Sequence, residues 1–305
     1  SASSASAAAS RLATAHRLGI AASLGSAARD VATRRRAIIF KVFDDVRQDA
    51  LALQAIRLLQ ASFAPLGLGL WLRPYTVVPA RVGRKRHEGG MIECIPGSVM
   101  SLDESGKSGN PSLYHLFRAR YGHPDGAAFA EARSKFVRSL AAYAVVCHLL
   151  WIKDRHNGNL MIDEEGHIIH IDFGFLLGIS PGGNLGFETA SWKHTREMMN
   201  IMGGDERSAS YLEFLELGTR AFLQSREIRE ANEVLVSAMA DSGLPCFHFG
   251  NTLANFRARH VPTLDPIAAA AFFRDRAVDA RTNSTTVLYD GIQRAQGKIH
   301  SEAWQ

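Results

Sequence analysis

Two stretches near the middle of the chain set its architecture: Lys153-Asp-Arg-His-Asn-Gly-Asn-Leu-Met161 and His167-Ile-Ile-His-Ile-Asp-Phe-Gly174. Asn159 follows Asp154 by five positions, and Asp172 follows Asp154 by 18 positions. Asp172 ends a strand-like run, so its carboxylate is expected at the end of a β-strand. Carboxylate and amide oxygens are the ligands that a hard cation such as Mg²⁺ prefers. The spacing therefore predicts Asn159 and Asp172 as a metal-binding pair.

The same layout is typical of sites that transfer phosphoryl groups. In protein kinases an Asp and, five positions later, an Asn lie in the catalytic loop, and a later Asp-Phe-Gly supplies the Asp that holds magnesium. Here the first motif runs Asp-Arg-His instead of His-Arg-Asp. An unperturbed histidine side chain has a pKa near neutrality, which makes His156 a candidate base for an acceptor hydroxyl. Asp154 could accept that proton itself or orient a protonated His156, and the sequence leaves both roles open.

Lys41 lies near the end of a predicted strand, residues 37–42. From there it could reach ATP phosphates as the strand lysine of a kinase does, although a lone strand lysine is usually a surface residue. Upstream, residues 25–29 are mostly small, and their backbone N–H groups could approach phosphates.

Composition places the chain among globular proteins and leaves its partner open. A net charge of +5 suits an anionic partner without selecting one. The longest apolar run, residues 140–152, is too short to cross a bilayer and predicts a buried helix. Cys94, Cys147 and Cys246 show no paired spacing, which predicts buried thiols and neither a disulfide framework nor a zinc site.

The chain changes character along its length. Residues 1–36 are rich in Ala, Ser and Arg, which predicts a flexible basic arm, with an organelle transit peptide as the alternative. Residues 37–96 predict a small mixed lobe, and residues 97–305 predict a larger, mostly helical lobe. The small lobe combines strand 37–42 with a helix at 49–63 and strands at 68–78 and 90–95. The large lobe begins with a connector at 97–109, carries short strands near 160–162 and 167–171, and has helices at 112–121, 127–152, 211–224, 228–240, 252–259 and 266–280.

Several of these stretches together resemble the phosphatidylinositol 3-/4-kinase superfamily, for which the inverted Asp-Arg-His is a mark. The stretches are residues 40–49, 91–93, 154–159 and 170–174. Residues 153–160, 166–175, 180–186, 201–204 and 243–247 resemble the type III phosphatidylinositol 4-kinases in particular. The resemblance covers roughly residues 38–296 and favours the alpha form over the beta form.

This resemblance implies an α+β, two-lobed protein-kinase-like fold with a small mixed β/α N-lobe and a larger, mostly helical C-lobe. The catalytic loop would be 153–161 and the activation segment 172–197. ATP and Mg²⁺, with Mn²⁺ as a substitute, would serve transfer of the γ-phosphate to the 4-hydroxyl of phosphatidylinositol. The implied partners are phosphatidylinositol in membranes, the membrane surface and regulatory proteins or further helical regions, and not nucleic acid. The implied location is cytoplasmic and peripheral on the plasma membrane or the Golgi/ER face.

Further site residues are implied by the same resemblance, position by position. Lys41 would contact phosphate, Glu93 and Ile95 would present backbone groups to adenine, and Tyr75 would stand near the back wall of the pocket. Met161 and Ile171 would line the adenine pocket, His156 would be the base, and Ser26, Ala27 and Ala28 would form the phosphate loop. The chain departs from the family in its longer approach to the lysine strand, which includes residues 33–36, and in Phe43, where the family has glycine.

The activation segment bears on the choice of substrate. Between residues 172 and 197 the full positive charges are Lys193 and Arg196. Because a multiply phosphorylated head group would favour several Lys or Arg side chains, the segment predicts an inositol without ring phosphates. The residues assigned to substrate contact there are Phe175, Pro181, Gly182, Gly183, Asn184 and Lys193.

Three alternatives or additions remain open from the sequence. A protein Ser/Thr kinase of the same superfamily and a catalytically impaired pseudokinase or scaffold are the competing functions. Residues 287–304 could form an amphipathic helix on a membrane or pack on the large lobe.

Overall fold

The computed structural model describes residues 37–84, 87–95, 98–101, 112–180, 190–248 and 250–282. The chain divides into two compact units, Ser1–Ile39 and Phe40–Gln305, and nearly all described residues belong to the second. Several predictions lie outside the described residues: the basic arm at 1–36 with Ser26, Ala27 and Ala28, the residues Pro181, Gly182, Gly183 and Asn184 of the activation segment, and the tail at 287–304.

The first sheet contains β1 (Ile38–Val42), β2 (Val77–Val82) and β3 (His87–Glu93) in the order β1-β3-β2. Strands β2 and β3 form an antiparallel pair in which Val78 lies opposite Met91. The predicted strand at 37–42 is confirmed, and β3 overlaps the strand predicted at 90–95.

The strand predicted at 68–78 is wrong over residues 68–76, which have no regular secondary structure. Side chains of neighbouring elements satisfy the backbone there. Gln60 donates to the Leu72 carbonyl, and the Arg73 N–H donates to the Tyr143 hydroxyl. These partly buried backbone groups are therefore paired without a neighbouring strand.

Helix α1 (Arg47–Phe63) follows β1 and carries its buried residues at helical spacing, among them Leu51, Ile56 and Leu59. It packs against β2 and against two later helices, α5 (Ala209–Glu227) and α6 (Arg229–Ser237). The predicted helix at 49–63 is confirmed and begins two residues earlier. Its first turn lies beside the candidate site.

A second sheet contains β4 (Ser98–Ser101), β5 (Leu160–Asp163) and β6 (Ile168–His170) in the order β4-β5-β6, with both pairs antiparallel. Strand β4 replaces part of the connector predicted at 97–109. The turn from β5 to β6 is closed by Asp163, whose carboxylate accepts hydrogen bonds from the N–H groups of Glu165 and His167.

Helix α3 (Ala127–Leu150) is the central element of the helical part, and every residue from Phe136 to Leu150 except Arg138 is buried. It ends two residues before the predicted boundary because Trp151 takes a left-handed conformation with φ 46°. Helices α2 (Leu113–Tyr121) and α5 pack against it. The other α-helices of the described part are α4 (Arg196–Ile201), α7 (Thr252–Arg259) and α8 (Pro266–Thr282). The six-residue α4 was not predicted, since one and a half turns carry too little periodicity.

Two predictions from composition concern the membrane and the thiols. Within the ranges that the structure describes, every helix is too short or too polar to span a membrane. Cys147 and Cys246 are buried, as predicted, whereas Cys94 is half-buried.

Candidate active site

The β5–β6 hairpin brings the two predicted metal ligands to one end of the second sheet. Leu160 lies opposite His170 in the antiparallel register. Just beyond this pair, the Ile171 N–H donates a 3.1 Å hydrogen bond to the Asn159 carbonyl. Asn159 therefore enters the hairpin at the end where Asp172 leaves it.

The side chain of Asn159 has a fixed orientation. It is buried, and its amide nitrogen donates a 2.9 Å hydrogen bond to the Asp154 carbonyl. Because the nitrogen is engaged by the loop, the amide oxygen is the atom that Asn159 can offer to a cation. This arrangement fits the predicted metal role.

Asp172 is held through its backbone while its side chain stays exposed. Its N–H donates a 3.3 Å hydrogen bond to the Tyr75 hydroxyl, and its own carboxylate accepts one of 3.3 Å from the Gly174 N–H. Its φ of 57° lies in the left-handed region, which is uncommon outside glycine but is tolerated best by Asp and Asn. A strained, well-anchored backbone thus presents a carboxylate at the surface.

Asp154 and His156 lie side by side in the loop at residues 153–161, the predicted catalytic loop. The Nε2 atom of His156 is 3.9 Å from Oδ1 of Asp154, and its Nδ1 atom accepts a 3.0 Å hydrogen bond from the Gly158 N–H. Asp154 also has a left-handed φ, 62°. The two candidate bases are therefore brought together.

Arg155 ties the catalytic loop to the Asp-Phe-Gly segment, a role that sequence reasoning missed. It is 4% exposed and donates hydrogen bonds to the carbonyls of Lys153 (3.0 Å), Ile171 (2.7 Å) and Asp172. Its guanidinium also lies 5.7 Å from the centre of the Phe173 ring. A buried arginine in a polar loop has no periodicity that could have revealed it.

Asp49, on the first turn of α1, was missed as well. Its Oδ1 atom accepts a 2.7 Å hydrogen bond from the Phe173 N–H. Burial raises the pKa of Asp49 to about 6, the Phe173 bond opposes that shift, and the nearby Asp172 carboxylate adds to it. A signal was present, because Asp49 shares the helix face of the buried Leu53 and Ile56.

Tyr75 is buried beside the same segment. Its ring stacks on Phe173 with centroids 6.2 Å apart, and its hydroxyl accepts the hydrogen bond from Asp172. Burial raises the pKa of Tyr75, so the hydroxyl stays protonated at neutral pH. Its predicted place at the back wall of an ATP pocket remains a prediction.

Lys41 lies within the electrostatic reach of the acidic groups. Its ammonium group forms a 2.7 Å ion pair with Asp44. Burial lowers its pKa, but the Asp44 hydrogen bond and the carboxylates of Asp44, Asp172 and Asp49 outweigh that effect, and the pKa is raised. Lys41 therefore stays positively charged and lies close enough to Asp49 and Asp172 for their charges to act on it. A phosphate contact requires such a positive charge.

The residues assigned to adenine are half-buried. The Glu93 N–H donates to the Thr76 carbonyl at 2.9 Å, and its carboxylate accepts from the Thr76 N–H at 2.8 Å, so its carbonyl is the backbone group suited to an adenine contact. Met161 on β5, together with Ile95 and Ile171, is likewise half-buried.

The two described substrate-segment residues differ in exposure. Phe175 is half-buried, and its carbonyl accepts a 2.9 Å hydrogen bond from the Lys153 N–H. Lys193 is 4% exposed, whereas Arg196 is exposed. Of the two full positive charges in the segment, Arg196 is thus the one at the surface.

Comparison with known proteins gives the family. A family model described as phosphatidylinositol 3- and 4-kinase matches residues 36–249. The chain is 41% identical over 264 residues to phosphatidylinositol 4-kinase stt4 of Schizosaccharomyces pombe, which covers 87% of this chain and 14% of that protein. It is 41% identical over 266 residues to phosphatidylinositol 4-kinase alpha 1 of Arabidopsis thaliana, covering 87% and 13%.

With phosphatidylinositol 4-kinase beta of Xenopus laevis the identity is 37% over 262 residues, covering 85% of this chain and 32% of that protein. Identity is thus higher with the alpha relative, in the direction that the sequence motifs favour. The chain spans about one-seventh of the length of the first two relatives. The mixed α+β architecture confirms the predicted two-lobed, kinase-like fold, and the chain belongs to the phosphatidylinositol 3- and 4-kinase family.

Proposed function

We propose that the chain is the catalytic part of a lipid kinase. It transfers the γ-phosphate of ATP to the 4-hydroxyl of phosphatidylinositol and so makes phosphatidylinositol 4-phosphate. The observation that carries the proposal is the β5–β6 hairpin, which places Asn159 and Asp172 at one end, next to the loop with Asp154 and His156. Residues 37–96 would be its small lobe and residues 97–305 its large lobe.

The residues present fit a hard divalent cation. Asn159 offers an amide oxygen and Asp172 a carboxylate, and these would hold Mg²⁺, or Mn²⁺ in its place. The described residues contain no group of three or more His, Cys, Asp and Glu that could hold a metal by themselves. ATP phosphates and water would therefore complete the coordination. When bound, the cation neutralises charge on the transferred phosphate.

The protein's own groups divide the remaining work. Lys41 contacts phosphate as a fixed positive charge. Asp154 or His156 accepts the proton of the attacking hydroxyl. Arg155 holds the carbonyl of Ile171, before Asp172, and Asp49 holds the N–H of Phe173, after it. Catalysis of this kind depends on positioning and electrostatics more than on covalent chemistry.

The choice of an unphosphorylated inositol follows from charge. A head group with several ring phosphates would require several cationic side chains for charge-assisted contacts. In the activation segment, residues 181–189 contain no Lys or Arg, and Lys193 is buried. Arg196 alone is a poor match for a polyphosphorylated ring.

The proposed substrate also determines where in the cell the enzyme acts. Because phosphatidylinositol is a membrane lipid, the enzyme works peripherally at a membrane surface, on the cytoplasmic side of the plasma membrane or at the Golgi/ER face. Regulatory proteins or further helical regions complete it there, and nucleic acid is not a partner.

One assay tests the proposal. The purified chain is incubated with labelled ATP, Mg²⁺ and phosphatidylinositol vesicles, and the ring position of the label is determined. We expect label on the 4-hydroxyl. Label on the 3-hydroxyl, transfer to a peptide instead of lipid, or ATP binding without transfer would each reject the proposal.

A further inference from the structure

The first turn of α1 carries a buried glutamine that joins two segments far apart in sequence. Gln48 is 5% exposed. Its amide nitrogen donates to the Gly174 carbonyl, and its amide oxygen accepts a 3.1 Å hydrogen bond from the Cys246 N–H. Both partners are backbone groups, so the contacts depend on the glutamine and on the path of each segment.

We propose that Gln48 is a positioning residue that holds the Asp-Phe-Gly segment, residues 172–174, against the turn at residues 242–247. The inference rests on the proposed function, because what it positions is the carboxylate of Asp172. The link is short: Gln48 holds the carbonyl of Gly174, and the N–H of Gly174 holds Oδ1 of Asp172.

The turn at residues 242–247 is itself anchored, so it can serve as a fixed reference. Arg47 donates a 3.2 Å hydrogen bond to the Ser242 carbonyl. On the other side, the Thr252 hydroxyl donates a 2.7 Å hydrogen bond to the Cys246 carbonyl. The start of α1 is therefore bound to this turn through two adjacent side chains, and Gln48 extends the attachment to Gly174.

Glutamine fits because its two partners have opposite polarity. The Gly174 carbonyl needs a donor and the Cys246 N–H needs an acceptor, and a primary amide supplies both at the end of one side chain. Ionised glutamate has the same length but only accepts. It would keep the Cys246 bond and place a negative oxygen against the Gly174 carbonyl, whereas methionine would lose both bonds.

Hydrogen exchange tests the contact without any turnover. In the nucleotide-free chain, Gln48→Glu should speed amide exchange in the peptide covering residues 172–176 about tenfold, the effect of losing one hydrogen bond, and leave residues 242–248 unchanged. Gln48→Met should speed exchange in both peptides. The matched control is Gln60→Glu, because the amide of Gln60 donates a 3.0 Å bond to the Leu72 carbonyl from the same helix. It should leave both peptides unchanged.

Kinetics then test the consequence. With phosphatidylinositol vesicles, Gln48→Glu should lower kcat about tenfold and raise the half-saturating Mg²⁺ concentration, with a smaller change in the KM for ATP. Gln60→Glu should match the wild type in these constants. Wild-type exchange in both Gln48 variants, or kinetic constants of Gln48→Glu equal to those of Gln60→Glu, would overturn the assignment. If the wild-type chain does not phosphorylate lipid, the proposed function is rejected. The role of Gln48 in holding residues 172–174 is still tested by hydrogen exchange, which does not depend on turnover.

Discussion

His156 faces Asp154 with the ring nitrogen that carries the proton in the neutral imidazole. Its Nδ1 atom accepts a hydrogen bond from the Gly158 N–H, and its Nε2 atom lies 3.9 Å from Oδ1 of Asp154. Because a backbone N–H only donates, Nδ1 holds a lone pair and Nε2 holds the proton. The Nε2 atom that faces Asp154 can therefore only donate a proton, whereas the Asp154 carboxylate can accept one. This arrangement favours Asp154 as the group that accepts the hydroxyl proton.

The first prediction compares the two candidate bases. Asp154→Asn should lower kcat for lipid phosphorylation about 100-fold or more, because the carboxylate that accepts the proton is lost. His156→Asn should lower kcat by about tenfold or less, since an asparagine oxygen can still accept the Gly158 hydrogen bond. Steady-state kinetics at saturating ATP and lipid measure both. The reverse order would assign the base to His156.

The second prediction concerns Asp172, the carboxylate proposed to bind the metal. Asp172→Asn should lower kcat by about two orders of magnitude, equivalent to about 3 kcal/mol of transition-state stabilisation. The free energy of unfolding should stay within about 0.5 kcal/mol of the wild type, because asparagine tolerates the left-handed backbone and can accept the Gly174 N–H. Urea denaturation supplies the stability control. Near wild-type lipid phosphorylation by this variant would remove Asp172 from the metal site.

The nearness of Asn159 and Asp172, the proposed metal ligands, could be predicted from sequence because it depends on local geometry. Asn159 and Asp172 flank one short antiparallel hairpin, so their spacing along the chain translates directly into proximity. Helix α7 was predicted with its observed bounds, 252–259, for a similar reason: its limits depend on nearby residues. Local patterns of this kind carry over into structure without knowledge of distant contacts.

Burial of Asp49 could be read from the helical pattern, but the contacts of the supporting residues could not be predicted because their partners are distant in sequence. Asp49 and Gln48 on α1 contact Phe173 and Gly174, more than 120 positions away. The failed strand at 68–76 has the same origin, since side chains from α1 and α3 satisfy its backbone. Periodicity indicates which side of a segment is buried, but it does not identify the hydrogen-bond partners of the buried polar groups.

The third prediction tests the link between the catalytic loop and Asp172. Arg155→Lys should lower the free energy of unfolding by about 2–4 kcal/mol, because an ammonium group cannot reproduce the planar set of donors that serves three carbonyls. Urea denaturation measures the loss. The matched control is Arg196→Lys at an exposed position, which should change stability by less than about 0.5 kcal/mol. Equal effects at the two positions would contradict the structural role of Arg155.

The fourth prediction concerns a buried histidine in the activation segment. His194 is 2% exposed and packs edge-on against Tyr211 and Phe214. Within the described part of the chain, neither of its ring nitrogens has a hydrogen-bond partner. Burial, with a contribution from the Arg281 charge, lowers the pKa of His194 from 6.5 to about 3. Between these two pH values the unfolded chain binds a proton that the folded chain does not, so the free energy of unfolding falls as the pH falls.

Replacing His194 by leucine removes both the unsatisfied polar atoms and this pH dependence. His194→Leu should raise the free energy of unfolding by about 1 kcal/mol at pH 7 and by about 3 kcal/mol at pH 5, because the histidine penalty grows below pH 6.5. Urea denaturation at the two pH values measures the difference. His148 is the matched control: its pKa is also lowered to about 3 by burial, but its Nε2 atom lies 3.0 Å from the Arg259 carbonyl. His148→Leu should therefore destabilise the protein at pH 7, and stabilisation by both variants would show that hydrogen bonding does not distinguish the two sites.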